Sequence, residues 1–170
     1  RFLSSDEYTL PIHADYDPFD EPVEYPDEEP NELRLALVQG RRLKMMDKNL
    51  LSKGGSSDPM AEFSLSTSQK KKTSHVKKKT LEPVWHEQFL WAVSPESRAQ
   101  PTLTLEVKDW DELSSADPMG ACVINLEEYK DARGQPTRRW YELEGGEGAV
   151  EVIVQWRHSP ANDWRPFSAT

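Results

Sequence analysis

The chain has 170 residues, thirty acids against twenty-one bases, a formal net charge of −9 and one cysteine, Cys122. A single cysteine excludes an internal disulfide framework, and no apolar run approaches the roughly 20 residues that span a bilayer or forms a signal-peptide core. The length is enough for one domain with a real core.

The chain opens on Arg1 rather than Met, which reads as a processed form or a piece of something longer. Residues 1–30 hold ten acids and one base, a net charge of −9, so residues 31–170 balance at twenty of each sign. Pro11, Pro18, Pro22, Pro26 and Pro30 interrupt that acidic segment, and neither helical nor strand periodicity survives them. It reads as a disordered linker or as an extended arm pinned by aromatics such as Tyr8, Tyr16, Phe19 and Tyr25 to a partner or to its own domain. The boundaries expected are an arm at 1–30, a folded domain at 31–158 and a tail at 159–170 carrying Trp164 and Phe167.

The folded part begins at Glu32-Leu33-Arg34-Leu35-Ala36-Leu37-Val38, alternating and then apolar, and resumes over residues 43–46. A long Gly/Ser-rich loop follows through residues 47–58. Residues 59–65 read as a strand. Lysines then flank a second short run at 76–81, and residues 86–93 form another strand with Phe89 and Trp91 on one face. Leu103, Leu105 and Val107 alternate as a half-buried strand. Residues 121–126 are apolar, with Cys122 as small core filler. Residues 126–132 suit one short helical turn, broken by Gly134-Gln135-Pro136. Residues 138–143 and 148–156 close the fold around Gly145-Gly146. About eight short strands at 8–15-residue spacing, with almost no helix, indicate an all-β antiparallel Greek-key sandwich.

The chemistry concentrates where the strand through Val107 runs out. Alternation sends Asp109 and Asp111 to one side and Trp110 to the other, and Asp117 returns a third carboxylate to the same loop. Three short carboxylates at one mouth are costly without a cation between them. A hard cation with oxygen ligands, calcium above all, suits them. An isolated Asp-x-Asp is most often only a solvated acidic turn.

Four separated motifs then occur in a familiar order: residues 43–47, Ser57-Asp58-Pro59, Pro83-Val84-Trp85-His86-Glu87-Gln88-Phe89, and Val107-Lys108-Asp109-Trp110-Asp111 with Ser114, Asp117 and Gly120. They resemble the C2 domain, the calcium- and phospholipid-binding module of protein kinase C and the synaptotagmins, over residues 32–158. The resemblance implies an eight-stranded sandwich with calcium sites between loops at one end. It puts the five aspartate positions on Asp47, Asp58, Asp109, Asp111 and Asp117. It adds Ser114 as a ligand, and Met46 and Trp110 as backbone-carbonyl donors. The strand order resembles the type II permutation. Loop one is longer than the commonest form, which bears on the reach of Asp47. Met60 stands where an aromatic is common, and Glu82 and His86 replace frequent asparagines.

Leu50 and Leu51, between Lys48 and Lys53 at the tip of loop one, suit insertion at a headgroup boundary or a small local cluster. Leu113 is the matching candidate in loop three. Lys70, Lys71, Lys72, Lys77 and Lys79 match the family's phosphoinositide-binding cluster or form a solvated edge, with Lys77 and Lys79 expected on one strand face and Lys78 opposite. Nucleic acid is disfavoured, since no base-stacking aromatics interleave with the lysines. No Gly-rich phosphate loop, nucleophile elbow or His-metal spacing accompanies the aspartates, so an enzyme is not expected.

The function expected is calcium-dependent binding to anionic phospholipid or phosphoinositide membranes. The chain would act at the cytoplasmic, peripheral membrane surface as a targeting module of a larger protein. The alternative is a protein–protein interaction domain of the same fold in a membrane-associated assembly, with residues 1–30 and 159–170 as possible partner contacts. The acidic arm is expected to reach the lysine face and compete there with lipid.

Overall fold

A computed structural model describes the backbone of residues 2–3 and residues 15–46, 57–94, 101–111 and 115–163. Among the described residues nine strands are formed: β1 (Phe2–Leu3), β2 (Glu32–Arg41), β3 (Pro59–Leu65), β4 (Lys72–Thr73), β5 (Val84–Ala92), β6 (Thr102–Asp109), β7 (Asp117–Asn125), β8 (Thr137–Glu142) and β9 (Ala149–Arg157). Two antiparallel sheets result, one ordered β1-β8-β9-β2-β5 and the other β4-β3-β6-β7. Eight of the strands make the expected all-β sandwich, and β1 adds a two-residue edge beside β8.

Alternation builds the core directly. Pro59, Ala61, Phe63 and Leu65 point inward from β3, and Leu103, Leu105 and Val107 from β6. They meet Leu33, Leu35 and Leu37 of β2 and Val150, Val152, Val154 and Trp156 of β9 in one cluster. Cys122 is buried in it as filler, and burial pushes its thiol pKa up to about 12. The 3-10 helix Leu126–Ala132 is the expected short helical turn. Asn125 caps it by accepting from the Glu127 amide at 3.1 Å, and it ends at Arg133 in the left-handed region.

Strands β2 and β9 depart from simple alternation, since they are buried on both faces. Their inner faces supply the core. The outer face of β2 and β9 is covered by the chain's own beginning. Phe19 is 2% exposed and packs with Ala36, Val38 and Ile153. Residues 15–30 are therefore laid on the β5-β2-β9-β8 sheet and are not a free linker. This is the opposite sheet from β3 and β4, so the described part of the arm does not reach the lysine face as expected. Tyr8 of the arm, and Trp164 and Phe167 of the tail, lie outside the described residues.

The run at 76–81 is the other departure, because it forms no strand. Its backbone is tied down singly, Lys77 N–H to Pro59 C=O at 3.0 Å and Thr80 N–H to Ser57 C=O at 2.9 Å. Lys79 turns through φ +51°. The short strand β4 forms earlier, at Lys72–Thr73, against Phe63 and Glu62. Residues 43–46 likewise form no strand, and Leu43 N–H is held by Leu81 C=O at 3.1 Å.

Candidate metal-binding loop mouth and its surroundings

The end of the β3-β6-β7 sheet places Asp58, Asp109 and Asp117. In register, Asp109 pairs with Pro59 on one side and Asp117 on the other, so β3, β6 and β7 release their chains at the same level. A bulge at Val107–Lys108 lets the third loop leave with extra twist. Asp58 N–H donates to Asp109 Oδ1 at 2.8 Å, Trp110 N–H donates to Asp58 C=O at 3.0 Å, and Lys79 N–H donates to Asp58 Oδ1 at 2.6 Å. The two aspartates are thus fixed by backbone donors and interlock the first and third loops. Asp58 and Asp109 are half-buried, and Asp111 and Asp117 are exposed.

Of the sixteen positions singled out in the sequence, Asp47, Leu50, Leu51, Leu113 and Ser114 lie outside the described residues. Asp58, Asp109, Asp111, Asp117, Met46 and Trp110 are described. Among the described residues, no three acidic, histidine or cysteine side chains converge closely enough to hold a metal ion. The oxygens present have the donor chemistry a hard cation takes, and the described part of the set is incomplete without Asp47 and Ser114.

Two residues at this mouth are not legible as site residues in the sequence. Ser57 is fully buried, accepts from the Met46 amide at 2.9 Å and donates to Lys44 C=O at 3.0 Å. It clasps the two ends of the first loop, and its only signal is its place before Asp58-Pro59. Lys78, expected to point away, lies 3.9 Å over the Trp110 ring. That cation–π contact holds Trp110 across the mouth.

The other lysines do not share a strand face. Lys70 is exposed. Lys71 pairs with Glu62 at 3.1 Å, where Lys108 also reaches at 3.3 Å. Burial alone would raise the Glu62 pKa, but Lys71 and Lys108 together outweigh it and hold the carboxyl below its usual range. Lys72 turns to the other sheet, donating to Leu90 C=O at 2.6 Å with its ammonium 5.2 Å from the Trp91 ring. Lys77 and Lys79 sit in the loop and turn after β4, with backbone amides bonded to Pro59 and Asp58.

The histidines that are described have structural partners. His75 Nδ1 meets Glu87 Oε1 at 2.6 Å, His86 stacks on Tyr16 with ring centres 4.0 Å apart, and His158 lies between Glu29 C=O and Asp163.

The acidic arm meets a row of cations. Arg138 donates to Tyr16 C=O, and the Arg34 guanidinium lies 4.5 Å over the Phe19 ring. Arg34 also reaches Glu21 at 3.9 Å, Arg133 pairs with Asp27, and Lys130 meets Glu29 at 3.9 Å. At its C-terminal end the sheet is tied by Asn31, whose side chain bonds Ser159 C=O at 3.1 Å and accepts from the Ser159 amide at 2.7 Å.

A family model described as C2 domain matches residues 31–143. Synaptotagmin-2 of Mus musculus is 32% identical over 118 residues, 69% of this chain and 26% of that protein. A single C2 domain of plant Extended Synaptotagmin 1 superposes with a TM-score of 0.63 at 25% identity, covering 78% of this chain and 98% of that one. The calcium-bound pair of C2 domains of Extended-Synaptotagmin 2 gives a TM-score of 0.65 at 22% identity, covering 76% of this chain and 46% of that one. The chain spans about a quarter of the length of the curated relatives it matches.

Proposed function

We propose, for a chain that belongs to the C2 domain family, that the loop mouth binds calcium and docks the chain on anionic phospholipid membranes. The observation that carries this reading is the placing of Asp58, Asp109 and Asp117 at the same level at one end of the β3-β6-β7 sheet, with the Asp58 amide bonded to the Asp109 carboxylate. Asp47, Asp111 and Ser114 would complete the ligand set with the carbonyls of Met46 and Trp110. Bound calcium would supply the charge that cancels carboxylate repulsion and open positions for lipid phosphate.

The protein's own residues do the rest. Backbone donors hold Asp58 and Asp109 in place, so the ligands are positioned before an ion arrives. Ser57 fixes the base of loop one, and Lys78 steadies Trp110. Leu50, Leu51 and Leu113 would enter the interface. Lys70, Lys71, Lys72, Lys77 and Lys79 would add attraction to anionic headgroups, at about 1 kcal/mol per lysine near such a surface. A cytoplasmic, peripheral-membrane role as a module of a larger protein accords with this reading. The first sandwich strand, β2, leads directly into the first loop, and β9 comes last; that order supports the type II permutation.

Calorimetric titration with calcium, with and without phosphatidylserine liposomes, tests the reading. Binding in solution that tightens with liposomes is expected, and no heat in either arm at millimolar calcium rejects it. Replacing Leu50 and Leu51 by Ala is expected to weaken liposome binding while calcium affinity in solution stays nearly unchanged. If both fall together, the leucines belong to the loop's own packing.

A further inference from the structure

The outer face of β5-β2-β9-β8 has a composition that the calcium mouth does not explain. It presents Arg34, Arg138 and Arg157, with Arg133 and Lys130 at its rim. Between the arginines lies an apolar seat of Ala36, Val38 and Ile153. What fills that seat is an extended segment, residues 15–29, with eight acids and no lysine or arginine. The contacts are those of peptide recognition: one buried aromatic anchor, Phe19, one stacked aromatic, Tyr16 on His86, and carboxylates facing guanidinium groups.

The fit is partial. Glu21 stands 3.9 Å from Arg34, at the limit of an ion pair, with its side chain 68% exposed. Beside Phe19 a cleft of about 370 Å³ stays open, lined by Arg34, Arg157, Glu32, Gln88 and the half-exposed Leu90. Burial and the neighbouring Arg157 both work against the charge on Arg34 and lower its pKa, so this face would gain from a better-placed carboxylate.

We propose that this face is a docking groove for an acidic, aromatic-anchored peptide segment of a partner protein, and that residues 15–29 occupy it in cis as a tethered competitor. A tethered segment acts at an effective concentration of about millimolar. A free peptide at micromolar concentration is therefore excluded until the tethered one is weakened. The groove prefers peptide to lipid because its centre is an apolar seat for one ring, flanked by arginines that suit carboxylates in fixed directions. It lies on the sheet opposite the β3-β6-β7 end, so it can work whether or not the mouth binds calcium.

The test uses the full chain and a fluorescein-labelled synthetic peptide of residues 15–30, read by anisotropy in chelator. Phe19→Ala is expected to bind the peptide at least about ten-fold tighter than wild type, since a buried aromatic anchor carries most of such a contact. The gain is expected to shrink with salt and to vanish when Arg34→Gln is added. Should Phe19→Ala fail to fold, Glu21→Lys with Asp27→Lys serves instead. Both side chains are mostly exposed, at 68% and 81%, and the double change is expected to give the same gain in the same direction. Equal weak binding by wild type and by a variant that melts cooperatively overturns the proposal and makes the arm a fixed part of the fold. Calcium-free uptake of phosphatidylserine vesicles by the variant, without peptide binding, overturns it in favour of a lipid surface.

Discussion

At the scale of single residues, roles are set by which backbone donor or counter-charge stands beside each side chain. Asp109 and Asp58 each accept a backbone amide, which fixes where their carboxylates stand. Glu62 is the contrasting acid. Its lowered pKa comes from Lys71 and Lys108, which outweigh its burial. A depressed carboxyl contributes stability that is present above its unfolded value and is lost as pH falls through the folded one. Glu62→Gln is therefore expected to flatten the acid limb of the stability profile below the ordinary glutamate value of 4.5, with thermal melts across pH as the check. Parallel acid limbs in wild type and variant would contradict this.

Strands and turns show how much of the architecture can be read in advance. Alternation marks β3 and β6 because each has one wet and one dry face. The double burial of β2 is not legible, because Ala36 and Val38 look like ordinary strand residues until Phe19 is found above them. Phe19 itself is hidden among prolines and acids that signal disorder. The short β4 falls outside the run at 76–81 expected to be a strand, because Ser74, Lys77 and Thr80 spend their amides singly on Ala61, Pro59 and Ser57, and His75 and Lys79 spend theirs on the Glu87 and Asp58 carboxylates, a pattern with no period. The aspartates of the mouth are legible since strand ends fix their level, whereas Ser57 and Lys78 act through a backbone clasp and a ring contact that no spacing announces. The β8–β9 turn yields a prediction of its own. Gly148 has φ +82° and an added Cβ would stand 2.1 Å from Arg41 C=O, while Gly145 has φ +75° and open space. Strained backbone costs about 1–3 kcal/mol and each kcal/mol moves the melting temperature by roughly 2–4 °C at this size. Gly148→Ala is expected to lower the melting temperature by several degrees more than Gly145→Ala, and equal effects would contradict the clash.

For the whole molecule, the net charge of −9 is not a uniform property, because it resides in residues 1–30 while the rest of the chain balances. The acids of the described arm stay exposed, and three of them, Glu21, Asp27 and Glu29, reach Arg34, Arg133 and Lys130, while Lys71 and Lys108 of the other sheet pair with Glu62. Two surfaces of opposite use result: an aspartate mouth at the end of one sheet and an arm-covered cationic groove on the other. The family membership and the common level of Asp58, Asp109 and Asp117 at one sheet end make the mouth the centre of the account. Co-sedimentation with phosphatidylserine liposomes, in about millimolar calcium and in chelator, compares wild type with Asp109→Asn. Wild type is expected in the pellet with calcium and in the supernatant with chelator, and Asp109→Asn in the supernatant under both conditions. Equal pelleting of wild type in calcium and in chelator, or of Asp109→Asn and wild type in calcium, would contradict the account.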